Sequence, residues 1–413
     1  MAGSTRLWET TQDVTLSVLL ISDEWSPTRG GISQFNRRLA IAFAAAGHRT
    51  ACLVRVAAPI EFEDARNHGV TLHTAVSTPA GPNLSVPVPE VIAWQPDVII
   101  GHDVVSGAVA WTYAERYVPT ARFAYIMHTA PSQNEPYKRG GEAARRTAER
   151  EDEIRRCAAD ADIVAAVGPL LARRAEAVIG EGAGGLSVLP LDPGIDLPAD
   201  HAGPPRQPPS NPIVLMVCRT THTEPKGLDI AANALVQVRV PYGKPKPELR
   251  IRGACEEQCD SLRAELLGQS ALARDRIDVR AYSANPADIT HDVRQAALVI
   301  MPSRAEGFGL AALEAISMGT PVLVSDRSGL AETLRHHLGW NAEPMIVPVT
   351  DDIAKDVPVW SEAIQRALDD LPTTYKYAHQ IREDLAPELR WSATVDKIVS
   401  RLPIPAPRAG GLS

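Results

Sequence analysis

Two rhythms of apolar positions alternate along the chain. Short apolar, β-branched runs give way to Gly- and Pro-containing loops, then to stretches with apolar residues three and four apart. Val14 to Ser22 (VTLSVLLIS) predicts a strand, and Ile32 to Ala46, ended by Gly47, predicts a helix. Thr50 to Val56, Val98 to Ile100, Phe123 to Met127, Ile163 to Val167 and Ser187 to Leu191 read as further strands. Strands apolar on both faces, alternating with helices, predict βαβ units and a parallel sheet covered on both sides.

The rhythm stops at His201 to Pro212 (HAGPPRQPPSNP), which holds five prolines and no periodicity. Proline fixes φ and removes a donor, so this stretch reads as an extended, semi-rigid linker. The alternation then restarts. Ile213 to Cys218, Glu248 to Arg252, Ile277 to Ala281, Ala297 to Met301 and Pro321 to Val324 predict strands, and Leu228 to Val236 a helix. The fold class expected is α/β, with two Rossmann-like βαβ domains facing a central cleft. Their expected bounds are residues 1–200 and 213–385, joined by the linker at 201–212. Residues 386–402 form a last helix, and the tail 403–413 is expected to be mobile.

Length and composition fit this division. The chain has 413 residues, 45% hydrophobic and 22% charged, enough for two cores. No run approaches a membrane span, and Met1 to Val14 carries acids without a long apolar stretch, so no secretory signal is expected. The net charge is −8. Residues 1–200 carry 18 Lys and Arg against 24 Asp and Glu; the remainder carries 24 against 26. Neither half has the basic balance of a nucleic-acid binder or of a strong binder of anionic membranes. Five widely spaced cysteines suggest reduced thiols and a cytoplasmic protein, with Cys255 and Cys259 as ordinary thiols at a helix start.

Three loops could carry chemistry. Gly30-Gly31 lies between the first strand and helix, where backbone N–H groups can meet an anion; a tight turn is the equal alternative. Gly180, Gly182 and Gly185 match G-x-G-x-x-G, but after a helix and before a strand, so a flexible loop is expected. Arg219 at a strand end and Lys226-Gly227 before a helix would offer a fork and a point charge to a pyrophosphate. The third loop is the most specific. After Val299 to Ser303 come Glu306, Gly307, Phe308, Gly309 and Leu310, with Glu314 two turns along the following helix. Two carboxylates so spaced can accept hydroxyls at two ends of an extended polyol.

This segment, EGFGLAALEAISMGTPVLVSDRSGLAE, resembles the E-x7-E signature of the retaining GT-B glycosyltransferases of family GT4. The glycine turn, the Arg219 and Lys226-Gly227 pair, and Pro193-Gly194-Ile195-Asp196 before the linker agree with that family in order. Cys218 and Pro193 stand where Gly and Asn are common. The resemblance implies that Glu306 binds donor-sugar hydroxyls, with main-chain N–H groups of Phe308, Gly309 and Leu310, and that Glu314 binds the ribose. Arg219 and Lys226 would hold the diphosphate, and Gly31 would approach it from the other domain. His128, ending a strand, resembles the family's active-site histidine. His102, Asp103 and Thr129 are weaker candidates on the acceptor side. The helix opened by Trp391 would cross back to the N-terminal domain.

The implied activity is retaining transfer of a sugar from a nucleotide diphosphate donor, UDP first and GDP second, to a hydroxyl acceptor such as a soluble metabolite. No cofactor and no metal are expected, because Arg219 and Lys226 supply the cations. Asp160-Ala161-Asp162 is read as structural. Arg139 to Arg156, equally rich in acids, reads as a solvated helix face. Two alternatives stay open: a catalytically quiet nucleotide-sugar-binding regulatory module, and another GT-B activity such as an epimerase or phosphorylase.

Overall fold

The computed structural model describes residues 15–402 except 27–29, 138–140, 181–186, 199–200, 221–222 and 284. The tail from 403, Thr28-Arg29, and Gly182 and Gly185 lie outside the described residues.

Seven parallel strands make the first sheet: β1 Ser17–Ile21, β2 Arg49–Val54, β3 Val70–Thr74, β4 Val98–His102, β5 Arg122–Met127, β6 Ile163–Val167 and β7 Leu189–Leu191. Their order is β3-β2-β1-β4-β5-β6-β7. Every residue of β1 and β6 is buried, as it must be in a sheet with helices on both faces. Six more parallel strands make the second sheet: β8 Ile213–Val217, β9 Glu248–Ala254, β10 Ile277–Ala281, β11 Leu298–Met301, β12 Val322–Ser325 and β13 Ile346–Val347. Their order is β10-β9-β8-β11-β12-β13. Each sheet winds outward from one strand in both directions. That creates a switch point at its carboxyl ends, between β1 and β4 and between β8 and β11.

The strands β3 and β13 were not expected, nor was a short antiparallel hairpin of Val76–Thr78 and Gly81–Asn83. Both β3 and β13 are sheet edges. β3 mixes polar with apolar positions (VTLHT) and β13 has two residues, so neither carries a strand-length apolar run.

The proline-rich stretch is held by side chains of the second half. Arg206 Nη1 donates to Thr320 Oγ1 at 2.7 Å, and its guanidinium lies 6.0 Å from the Tyr375 ring centre. Arg382 Nη2 donates to the His201 carbonyl at 2.6 Å. Helix α1 (Gly31–Ala45) packs against the last described helix, which runs from Trp391 to Val399. Phe35 and Trp391 meet edge-on at 5.2 Å. Thr394 Oγ1 donates to the Asp192 carbonyl at 2.6 Å, and Lys397 pairs with the Asp192 carboxylate at 3.0 Å. The final helix therefore rests on the N-terminal sheet's elements.

Candidate active site

The two switch points face each other across a cavity of about 1100 Å³ lined from both halves. Gly30, Gly31, His102, Asp103, His128 and Thr129 line it on the N-terminal side. Arg219, Lys226, Glu306, Gly307, Phe308, Gly309, Leu310 and Glu314 line it on the other. Every residue expected to catalyse, or to bind donor or acceptor, thus lines one cleft, whereas Gly227 and the turn Pro193-Gly194-Ile195-Asp196 are not among its lining residues.

Two helix N-termini meet there. Helix α1 begins at Gly31, and α2 (Leu310–Ser317) begins after Gly309. A Cβ on Gly31 would lie 3.3 Å from Leu310 Cδ1, so the two starts are in contact. The first N–H groups of a helix have no intrahelical partner, and the helix dipole adds positive potential. Glycine is required at two points. Gly30 has φ +115°, and a Cβ there would sit 2.7 Å from the Arg219 guanidinium. Gly307 lets the β11 loop touch the end of β5: a Cβ there would come 2.4 Å from the His128 carbonyl oxygen.

The charged groups are ordered by one another. Lys226 Nζ donates to Glu306 Oε2 at 2.8 Å, and Ser303 Oγ approaches the same oxygen at 3.4 Å. Burial would lower the Lys226 pKa, but the Glu306 carboxylate outweighs it and holds the ammonium above its usual range. Glu314 accepts a hydrogen bond from Gln34 of α1 across the cleft. Burial pushes its carboxyl up to about 7 against the pull of Gln34 and Arg38.

On the N-terminal wall, Asp103 opens a helix with φ +45°. Its carboxylate accepts from the His128 backbone N–H at 2.9 Å and from Thr129 Oγ1 at 3.0 Å. Burial pushes Asp103 up to about 6. His102 is 1% exposed and lies behind His128. Its Nδ1 is 2.9 Å from His128 Nε2, and its Nε2 is 2.9 Å from Asn36 Oδ1. Burial pushes His102 down to about 3, and burial with the neighbouring His102 holds His128 well below the usual range, so both rings are neutral.

Sequence reading missed Asn36, buried behind the cleft, and four residues that border it: Gln34 and Arg38 on α1, Arg252 near the end of β9 and Tyr282 after β10. The signal was available for the last two, which sit at carboxyl ends of strands beside a switch point. Asn36 gave none: a polar residue inside a helix discloses its burial only in the fold. The described part of Arg139 to Arg156 is largely solvated, as expected, but two of its arginines also serve a buried group. Arg146 and Arg150 both pair at 3.0 Å with Glu135, which is 1% exposed. A buried carboxylate needs paired donors, and these arginines supply them. Asp160 and Asp162 are used locally. Asp160 accepts from Trp111 Nε1 at 2.9 Å, and Asp162 from the Phe123 backbone N–H at 2.9 Å.

A family model described as "Family 4 Glycosyltransferase in conflict systems" matches residues 19–398. The chain belongs to this family. Among curated relatives, a D-inositol 3-phosphate glycosyltransferase of Jonesia denitrificans is 32% identical over 169 residues, 39% of this chain and 34% of the relative. The chain thus spans about a third of that relative's length. Solved structures share the fold of this family 4 chain at low identity. A sucrose-phosphate synthase from Thermosynechococcus elongatus superimposes with TM-score 0.68 at 20% identity, over 93% of this chain and 98% of that one. Anabaena Alr3699/HepE, in a complex with UDP-glucose, gives 0.66 at 16%, over 94% and 100%. The family 4 chain therefore has the GT-B fold expected from its sequence.

Proposed function

We propose that this family 4 chain is a retaining glycosyltransferase, using a nucleotide diphosphate sugar, UDP-linked first, and a hydroxyl acceptor. One observation carries the reading: two helix N-termini and the cations Arg219 and Lys226 converge on one cleft. That is the environment a diphosphate needs, and it is preorganised for the charge that grows on a departing phosphate. The neighbour solved with UDP-glucose supports a UDP-sugar donor.

The residues divide the work. Arg219 and Lys226 would neutralise the diphosphate while the α1 and α2 N-termini donate hydrogen bonds to it. Glu306, oriented by Lys226, would accept from sugar hydroxyls, and Glu314 from the ribose once the Gln34 amide is displaced. The acceptor oxygen would bond to the anomeric carbon on the face from which the diphosphate departs, and the departing phosphate would take the acceptor's proton, which preserves the anomeric configuration. The two halves would exclude water from the reacting centre.

The test is turnover of UDP-glucose followed by NMR, with and without chelator. The expected result is UDP release with a product of retained configuration, unchanged by chelator. Binding without turnover would instead mark a regulatory module, and an isomerised free nucleotide sugar an epimerase.

A further inference from the structure

His102 and Asn36 are buried, polar and unused by the chemistry above, yet they form a continuous chain with His128. The chain has a direction that can be read from its inner end. Asn36 Nδ2 donates to Cys52 Sγ at 3.4 Å, leaving Oδ1 turned to His102 Nε2 at 2.9 Å. An amide oxygen only accepts, so His102 carries its proton on Nε2. Its Nδ1 then has a lone pair alone, and His128 Nε2, 2.9 Å away, must be the donor. A neutral imidazole has one N–H, so His128 Nδ1 bears no proton. The arrangement is held from the sides. Phe35 packs edge-on against His128 at 5.0 Å, and Ser106 Oγ accepts from the His102 backbone N–H at 2.8 Å.

We propose that Asn36 and His102 are positioning residues that hold His128 as the Nε2–H tautomer, so that its Nδ1 lone pair accepts a hydrogen bond from a hydroxyl of the bound donor sugar. Only the hydroxyl rests on reading the cleft as a nucleotide-sugar site; the tautomer follows from the protein alone. The consequence is chemical. His128 acts toward the sugar as an acceptor, and it is neither a proton donor nor a cation. A thiol at Cys52 that donated to the amide would reverse every link and present Nδ1–H instead, so the direction is a real choice.

The experiment is a two-bond proton–nitrogen correlation on protein labelled with ¹⁵N in its histidines, with the His128 signals assigned by the His128→Gln variant. A bare Nδ1 and a protonated Nε2 on His128 are expected in the wild-type protein. Asn36→Leu should mix the two tautomers and lower UDP-glucose turnover about tenfold, the order of one oriented hydrogen bond. Asn36→Asp, which keeps an acceptor in place, should restore both. A proton on His128 Nδ1 in the wild type overturns the proposal, and so does an unchanged tautomer in a folded Asn36→Leu. If Asn36→Leu does not fold, the wild-type spectrum decides alone. The expected tautomer in a protein that neither binds nor turns over UDP-glucose upholds the chain and sinks the reading of the cleft.

Discussion

Glu314 couples folding to pH and, in the proposed function, to donor binding. Its pKa of about 7 stands above the ordinary 4.5 because burial penalises the charge more than Gln34 and Arg38 repay. The folded chain therefore binds a proton that the unfolded chain lacks between those values. The stability it contributes is full below about 4.5 and lost as pH rises through about 7. Ribose hydroxyls are best accepted by the ionised form, so donor affinity should rise with pH through the same range. Titrating UDP at a series of pH values checks this; Glu314→Gln should weaken binding about tenfold and flatten the profile. His102 has the opposite sign. Its folded pKa, depressed by burial to about 3, makes its contribution full above 6.5 and lost as pH falls toward 3. Urea midpoints should fall on acidification over that span, and less steeply in His102→Gln.

The two helices α1 and α2 explain why so much of the site sits where a few loops meet. Each follows a strand next to a switch point, so each delivers its first N–H groups to the same cleft. One contact between the halves is made by backbone at Gly307, which leaves no room for a methyl group. Gly307→Ala should push the β11 loop off the His128 carbonyl, lowering UDP-glucose turnover at least about tenfold while each sheet stays folded. Circular dichroism beside the assay checks both halves of that expectation; full activity in Gly307→Ala would mean the close approach is dispensable. These elements were legible because their apolar runs and glycines are local signals. Ile163 to Val167 and Ile277 to Ala281 were placed to the residue. What was not legible depends on contacts far apart in sequence. The edge strand β3 gains its partners only beside β2, the Gln34 amide finds Glu314 across 280 residues, and Asn36 meets His102 across 66. A pattern within one segment contains none of these distances.

The described residues build two doubly wound sheets whose switch points share one cavity, beside a small hairpin of Val76–Thr78 and Gly81–Asn83, with the final helix tying the second half back onto α1. The Gln34–Glu314 and Arg173–Glu332 pairs and the Trp391–Phe35 packing leave the halves in contact over polar as well as apolar groups. In this arrangement the acidic total charge matters less than where four charged side chains lie. Glu306, Glu314, Arg219 and Lys226 all line the cleft; in the proposed function the carboxylates accept hydroxyls and the cations face the diphosphate. Isothermal titration of UDP into the wild-type protein and into Lys226→Ala tests that placement most directly. Saturable binding by the wild type, weakened about a hundredfold or more in the variant, is the outcome expected from loss of a cation facing a diphosphate. No binding by the folded wild type, or equal binding by both proteins, would contradict it.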